Sequence, residues 1–97
     1  MAVGQQILPE VIDGETGYRG RYMAVIFDNA YNTFAEVVRA ISEATGCGLE
    51  EAYIETWEAH TYGRAPIHFA SQGACCAVAS IISRIGVRTE VRPEWEE

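Results

Sequence analysis

Two short groups of residues in this 97-residue chain hold the side chains that could do chemistry. The first is Asp28-Asn29-Ala30-Tyr31-Asn32-Thr33-Phe34, which gathers a carboxylate, two amides and two hydroxyls. The second is Ala59-His60-Thr61-Tyr62-Gly63-Arg64-Ala65, which brings an imidazole. Three chemistries are open to them. Cys75 or Cys76 with His60 and an acid would make an activated thiol. Nothing in the spacing carries either thiol to His60, and small buried cysteines are common core residues. His60, His68 and Asp28 could ligate a metal, but their separations match no recurring ligand pattern. The third chemistry is recognition. Asp28, Asn29 and His60 would accept from a cationic group above an apolar hole between helices, as ligand sites fix a few polar groups over a cleft. Each residue also has a plain structural reading. Asp28 and Asn29 favour turns, Asn32 or Thr33 can cap a helix, and an imidazolium suits a helix C-terminus.

The elements that must position these groups are readable from periodicity. Arg21 to Phe27 is rich in strand formers, and its nearly continuous apolar character predicts a central strand buried on both faces. The Asp28 group is then a strand-to-helix corner, where a rigid scaffold presents polar groups. Thr33 and Glu36 have capping-box spacing. Phe34, Val37, Val38, Ile41 and Ala44 form one apolar stripe on the helix that follows, which Gly46 and Gly48 stop. A second helix starts with Glu50 and Glu51 in its first turn and ends at Gly63. Leu49, Ala52, Tyr53, Thr56 and His60 share one of its faces. Ala65-Pro66-Ile67-His68-Phe69 predicts a short strand, placed at a sheet edge because Pro66 lacks a ladder donor. Ser71 caps a third helix with Ala74, Cys75, Val78, Ile81, Ile82 and Ile85 on its apolar side. Val87 to Arg92 alternates with period two, as a half-solvated strand does, and Pro93 ends it. The expectation is an α+β sandwich of order β-α-α-β-α-β, with three helices on one face of a small three-stranded antiparallel sheet. Residues 21–93 form the core domain. Residues 1–20 are expected to be a flexible arm with one short segment that docks, and 94–97 an acidic tail.

Composition excludes several classes. The length suits one domain with a modest core, and 48% hydrophobic residues argue against disorder. A formal charge of −7 disfavours nucleic acid and anionic membranes as partners. All seven basic residues are Arg, as coding bias would produce. Three cysteines, two of them adjacent, make no secreted disulfide framework and no zinc spacing. The opening MAVGQQILPE lacks the features of a signal peptide, and no apolar run reaches the length of a membrane span. A cytoplasmic protein without a cofactor is expected.

Tyr22 to Ala65 resembles the ClpS family of protease adaptors. The family pattern is a strand ending in Asn-Asp-Asp-Tyr-Thr-Pro-Met, a helix, and a second helix ending in Val-His-Tyr-x-Gly-Lys-Ala. The His-x-x-Gly-Arg/Lys-Ala core and the distance between the two pieces are its specific part. The third helix and last strand match in layout more than in residues. With them, the likeness covers about three quarters of the chain.

The resemblance implies an adaptor, not an enzyme, that binds destabilising N-terminal residues and delivers substrates to a AAA+ unfoldase of the ClpA or ClpC type. It implies that Asp28, Asn29 and His60 hold the substrate α-ammonium, with the family's amide and carboxylate exchanged. Ala30 replaces the second acid. Asn32 stands where the family's Thr touches the substrate backbone. Phe34, Val37, Thr56 and Val87 would wall the hydrophobic pocket, with Phe34 and Thr56 at positions the family fills with Met. The third-helix acid and lysine that dock the unfoldase fall near Gly73 and Val78, where neither charge is present. The alternative is a diverged scaffold of the same fold, shared with the ribosomal stalk C-terminal domain, that binds another partner. An enzyme is a distant third.

Overall fold

Helix and strand ends fall where side chains can satisfy the backbone. In the computed structural model, which describes residues 10–11 and 21–95, the order is β1 (Glu10–Val11), β2 (Tyr22–Phe27), α1 (Phe34–Thr45), α2 (Leu49–Tyr62), β3 (Arg64–Ala70), α3 (Gln72–Ser83) and β4 (Thr89–Pro93). Thr33 caps α1 through a complete capping box. The Glu36 N–H donates to the Thr33 hydroxyl at 3.1 Å, and the Thr33 N–H donates to the Glu36 carboxylate at 2.9 Å. Ser71 likewise accepts from the Ala74 N–H at the start of α3. Gly46 and Gly63 end α1 and α2 in the left-handed region that glycine adopts at no steric cost.

The sheet order is β1-β4-β2-β3, with β2 antiparallel to both of its neighbours. The expected three-stranded antiparallel sheet is therefore present, with β2 at its centre. Two residues of the N-terminal arm add to it, Glu10 and Val11 pairing in parallel with Glu90 and Val91. The rest of the arm and the last two residues lie outside the described residues. As Pro66 required, β3 is an edge strand, and its register shifts opposite Ala24 and Val25. Tyr22, Ala24, Ile26, Ala65, Ile67 and Val91 face the helices and join Ile41, Ala52 and Ile82 in the core. No helix among the described residues is long and apolar enough to cross a membrane.

Three sequence expectations shift. On α2 the buried residues are Ala52, Thr56 and Ala59, while Leu49 and Tyr53 are exposed. Small side chains let the helix close on its neighbours, so its large ones are left outside. The last strand begins at Thr89 and not at Val87, and the alternation fails at Glu90. Glu90 is buried on the open face of the sheet, where Arg88 and Arg92 clamp its carboxylate at 3.1 and 3.4 Å. On α3, Ala74 is exposed and Ile81 is half-buried, while Ala79 and Ser83 are buried in their place, and half-buried Ile85 lies in the turn past the helix end at Ser83.

Candidate functional site

The corner after β2 is tied down on both sides. On one side the Asp28 N–H donates to the Gly63 carbonyl at 3.0 Å, continuing the β2–β3 pairing past Phe27 and Arg64. Since β3 follows α2 directly, this bond brings the last turn of α2, and His60 with it, over the end of β2. On the other side the corner is tied to the turn before β4. The Asn32 amide donates to the Ile85 carbonyl at 2.8 Å, and the Asn29 amide reaches the Gly86 carbonyl at 3.5 Å and the Asn32 side-chain oxygen at 3.0 Å.

His60 Nδ1 lies 3.6 Å from Asp28 Oδ1, and their side chains are 68% and 39% exposed. This pair stands at the rim of a cleft of about 280 Å³. Asn29, Asn32, Phe34, Val37, Thr56 and Val87 line the same cleft, so the residues expected to form a site from sequence are brought together. Ligand pockets run at about 300–1,000 Å³, so this one suits a single amino-acid side chain. The Thr56 hydroxyl donates to the Ala52 carbonyl at 2.8 Å, so it brings no unsatisfied donor to an apolar guest. Half-buried Phe34 packs against Tyr53 with ring centroids 4.9 Å apart and planes tilted by 56°, and meets His60 edge-on at 6.5 Å, which holds its ring between the two.

Asn29 departs from its expected part as a direct acceptor. Its side-chain oxygen already accepts from the Tyr31 and Asn32 N–H groups, both at 2.9 Å. Both lone pairs of the amide oxygen are then engaged, so Asn29 shapes the corner that presents Asp28. Asn32 keeps capacity, since its side-chain oxygen accepts one bond within the chain, from Asn29. Sequence reading missed Tyr53 as the support of Phe34, Ala59 as a cleft wall, and the Ile85 and Gly86 carbonyls as anchors. The signal for Ala59 was its place beside His60 on the face of small residues. For the carbonyls the sequence carries none.

The cysteines stand apart from the cleft. Cys75 is wholly buried, and its thiol lies 3.8 and 3.9 Å from the His68 and Ala70 carbonyls. Burial pushes this thiol above its ordinary range, away from the thiolate that nucleophilic chemistry needs. No cluster of three metal-ligating side chains occurs among the described residues.

No protein-family model matches the chain, and no curated protein matches it in sequence. A solved structure does match: Agrobacterium tumefaciens ClpS2 bound to L-phenylalaninamide. The likeness has a TM-score of 0.67 at 14% identity and covers 74% of this chain and 96% of that one. The α+β architecture that carries the cleft is therefore a ClpS-like fold.

Proposed function

We propose that this chain is an adaptor that captures the N-terminal residue of a polypeptide and hands it to a AAA+ Clp protease. The observation that carries this reading is the Asp28–His60 pair at the rim of an apolar cleft sized for one side chain. An α-ammonium group offers three N–H donors and a positive charge. The Asp28 carboxylate supplies a charged acceptor and His60, when neutral, a second one. The first side chain of the peptide then enters between Phe34, Val37, Thr56 and Val87. Asn32 has an oxygen lone pair left for a backbone N–H of the substrate. Asn29 acts by holding the corner. The ligand of the ClpS2 structure, an amino-acid amide with an aromatic side chain, has the chemistry this cleft would accept.

Binding without catalysis and a cytoplasmic setting belong to the same reading. Delivery to a ClpA- or ClpC-type unfoldase would use other contacts than an acid and a lysine on α3. At the corresponding positions Gly73 has no side chain and Val78 is buried. A second reading is a ClpS-like interaction domain that has lost N-terminal recognition. It is favoured by the occupied Asn29 oxygen together with Ala30, which leave Asp28 and His60 as the rim's polar pair. Titration with a peptide beginning in Phe, free and N-acetylated, separates the two. The adaptor reading expects the free peptide to bind at least about tenfold more tightly, from loss of one charge-assisted hydrogen bond. Equal affinities would favour the second reading.

A further inference from the structure

The outer face of α2 is unusual for a surface helix. Its buried side consists of Ala52, Thr56 and Ala59, while Leu49, Tyr53, Ile54 and Trp57 remain 64%, 56%, 56% and 46% exposed. Leu49, Tyr53 and Trp57 recur every fourth residue, and Ile54 lies three before Trp57, so the four form one continuous strip. The Trp57 ring is held edge-on by Tyr62 at 6.0 Å. Along the flank of this strip run Glu51, Glu55 and Glu58, again at spacings of three and four. None of these carboxylates is in an ion pair among the described residues. Glu55 is crowded enough that one carboxyl oxygen is buried without a hydrogen-bond partner. Its burial, and then the Glu51 and Glu58 charges, push its carboxyl up to about 7.

Exposed apolar strips of this kind mark interaction surfaces, and the unneutralised acids beside this one select the partner. A second copy of the chain would set its own acids against these, and a chain of net charge −7 gains nothing from self-association. An anionic membrane is repelled for the same reason. We propose that the outer face of α2 docks a basic amphipathic segment of a partner protein. The apolar side of that segment would lie on Tyr53, Ile54 and Trp57, and its Arg or Lys residues would stand against Glu51 and Glu58. Such a partner neutralises the crowded carboxylates and covers the strip in one contact.

The test is fluorescence anisotropy with a labelled, N-acetylated Leu/Lys amphipathic peptide of about 15 residues, long enough to form a helix, and its Leu/Glu counterpart. Acetylation removes the α-ammonium, so this experiment does not depend on the cleft and its failure would leave the adaptor reading untouched. The Leu/Lys peptide is expected to bind one-to-one and the Leu/Glu peptide not to bind. Ile54→Ala with Trp57→Ala should weaken binding at least about tenfold, as loss of an aromatic anchor does. Glu51→Gln with Glu58→Gln should weaken it comparably, whereas Glu43→Gln with Glu94→Gln, which removes the same charge elsewhere, should leave it within about twofold. All of these side chains lie at or near the surface, and thermal melts confirm that each variant folds. Unchanged affinity in either α2 variant overturns the proposal. So does equal weakening by the Glu43/Glu94 pair, which would mark general attraction to an acidic protein. A concentration-dependent dimer in sedimentation, lost on Trp57→Ala, would assign the strip to a second copy and overturn it too.

Discussion

If Asp28 meets a substrate α-ammonium, then removing the carboxylate and removing the ammonium are the same loss reached from two sides. Asp28→Asn keeps shape and hydrogen-bonding capacity and discards the charge. The Coulomb attraction of two unit charges at 4 Å is about 1 kcal/mol in water and about 4 kcal/mol at an effective dielectric of about 20. With the Asp28 side chain 39% exposed and His60 68% exposed, the site lies towards the aqueous end of that range. A value of about 1.5 kcal/mol follows, or about tenfold in Kd. Both losses can be read by anisotropy with a labelled Phe peptide, free and N-acetylated, against wild type and Asp28→Asn. Acetylation should weaken wild-type binding about tenfold and the variant less than about threefold, a coupling of roughly 1 kcal/mol. The Asp28 N–H bond to Gly63 is made by the backbone, so the variant keeps its corner. If acetylation cost the variant as much as the wild type, Asp28 would not be the partner of the ammonium.

Phe34→Ala should open the mouth of the cleft, because the ring wedged between Tyr53 and His60 would crowd a ligand branched at its β-carbon. Peptides beginning with Ile or Val should gain a few-fold to about tenfold relative to Phe, the graded effect of roughly one methylene of misfit; wild type binding Ile as well as Phe would count against this placement. Asn29→Ala removes the acceptor for two backbone N–H groups, and a denaturant titration should show a loss of about 1–3 kcal/mol together with weaker peptide binding. An unchanged midpoint would show that water replaces the amide. Glu55→Gln tests the crowded carboxyl. Its folded-state pKa is raised to about 7 from an ordinary value of 4.5, so the folded protein binds the extra proton between those limits. Stability tied to this group is therefore fully present below about pH 4.5 and is lost as pH rises through about 7. Relative to wild type, Glu55→Gln should be neutral at pH 4 and stabilising above pH 7 by on the order of 1 kcal/mol after allowance for solvent screening. A difference independent of pH would refute that origin.

What the sequence determined by itself is local. Thr33 with Glu36, Ser71, Gly46 and Gly63 fix helix ends through groups a few residues apart, so the boundaries of α1, α2 and the start of α3 were legible. Pro66 marked an edge strand, and the unbroken apolar run before Phe27 marked a central one, since both follow from the hydrogen bonds a strand must make. The types of residue that line the cleft were legible as well. Tertiary structure alone decided how they work. Asn29 and Asn32 reach carbonyls more than fifty residues away, and no local pattern announces that bond. Those bonds fasten the corner through the amide N–H groups, while the Asn29 oxygen is taken locally, by the Tyr31 and Asn32 N–H groups, in the turn its residue type favours. Periodicity also misjudged α2, because it follows large apolar residues, while the space left between sheet and α1 admits only Ala52, Thr56 and Ala59. The burial of Glu90 likewise depends on Arg88 and Arg92 flanking it on the open face of the sheet. A side chain's type is written in the chain, but which of its hydrogen bonds remain free for a ligand depends on what the fold places beside it.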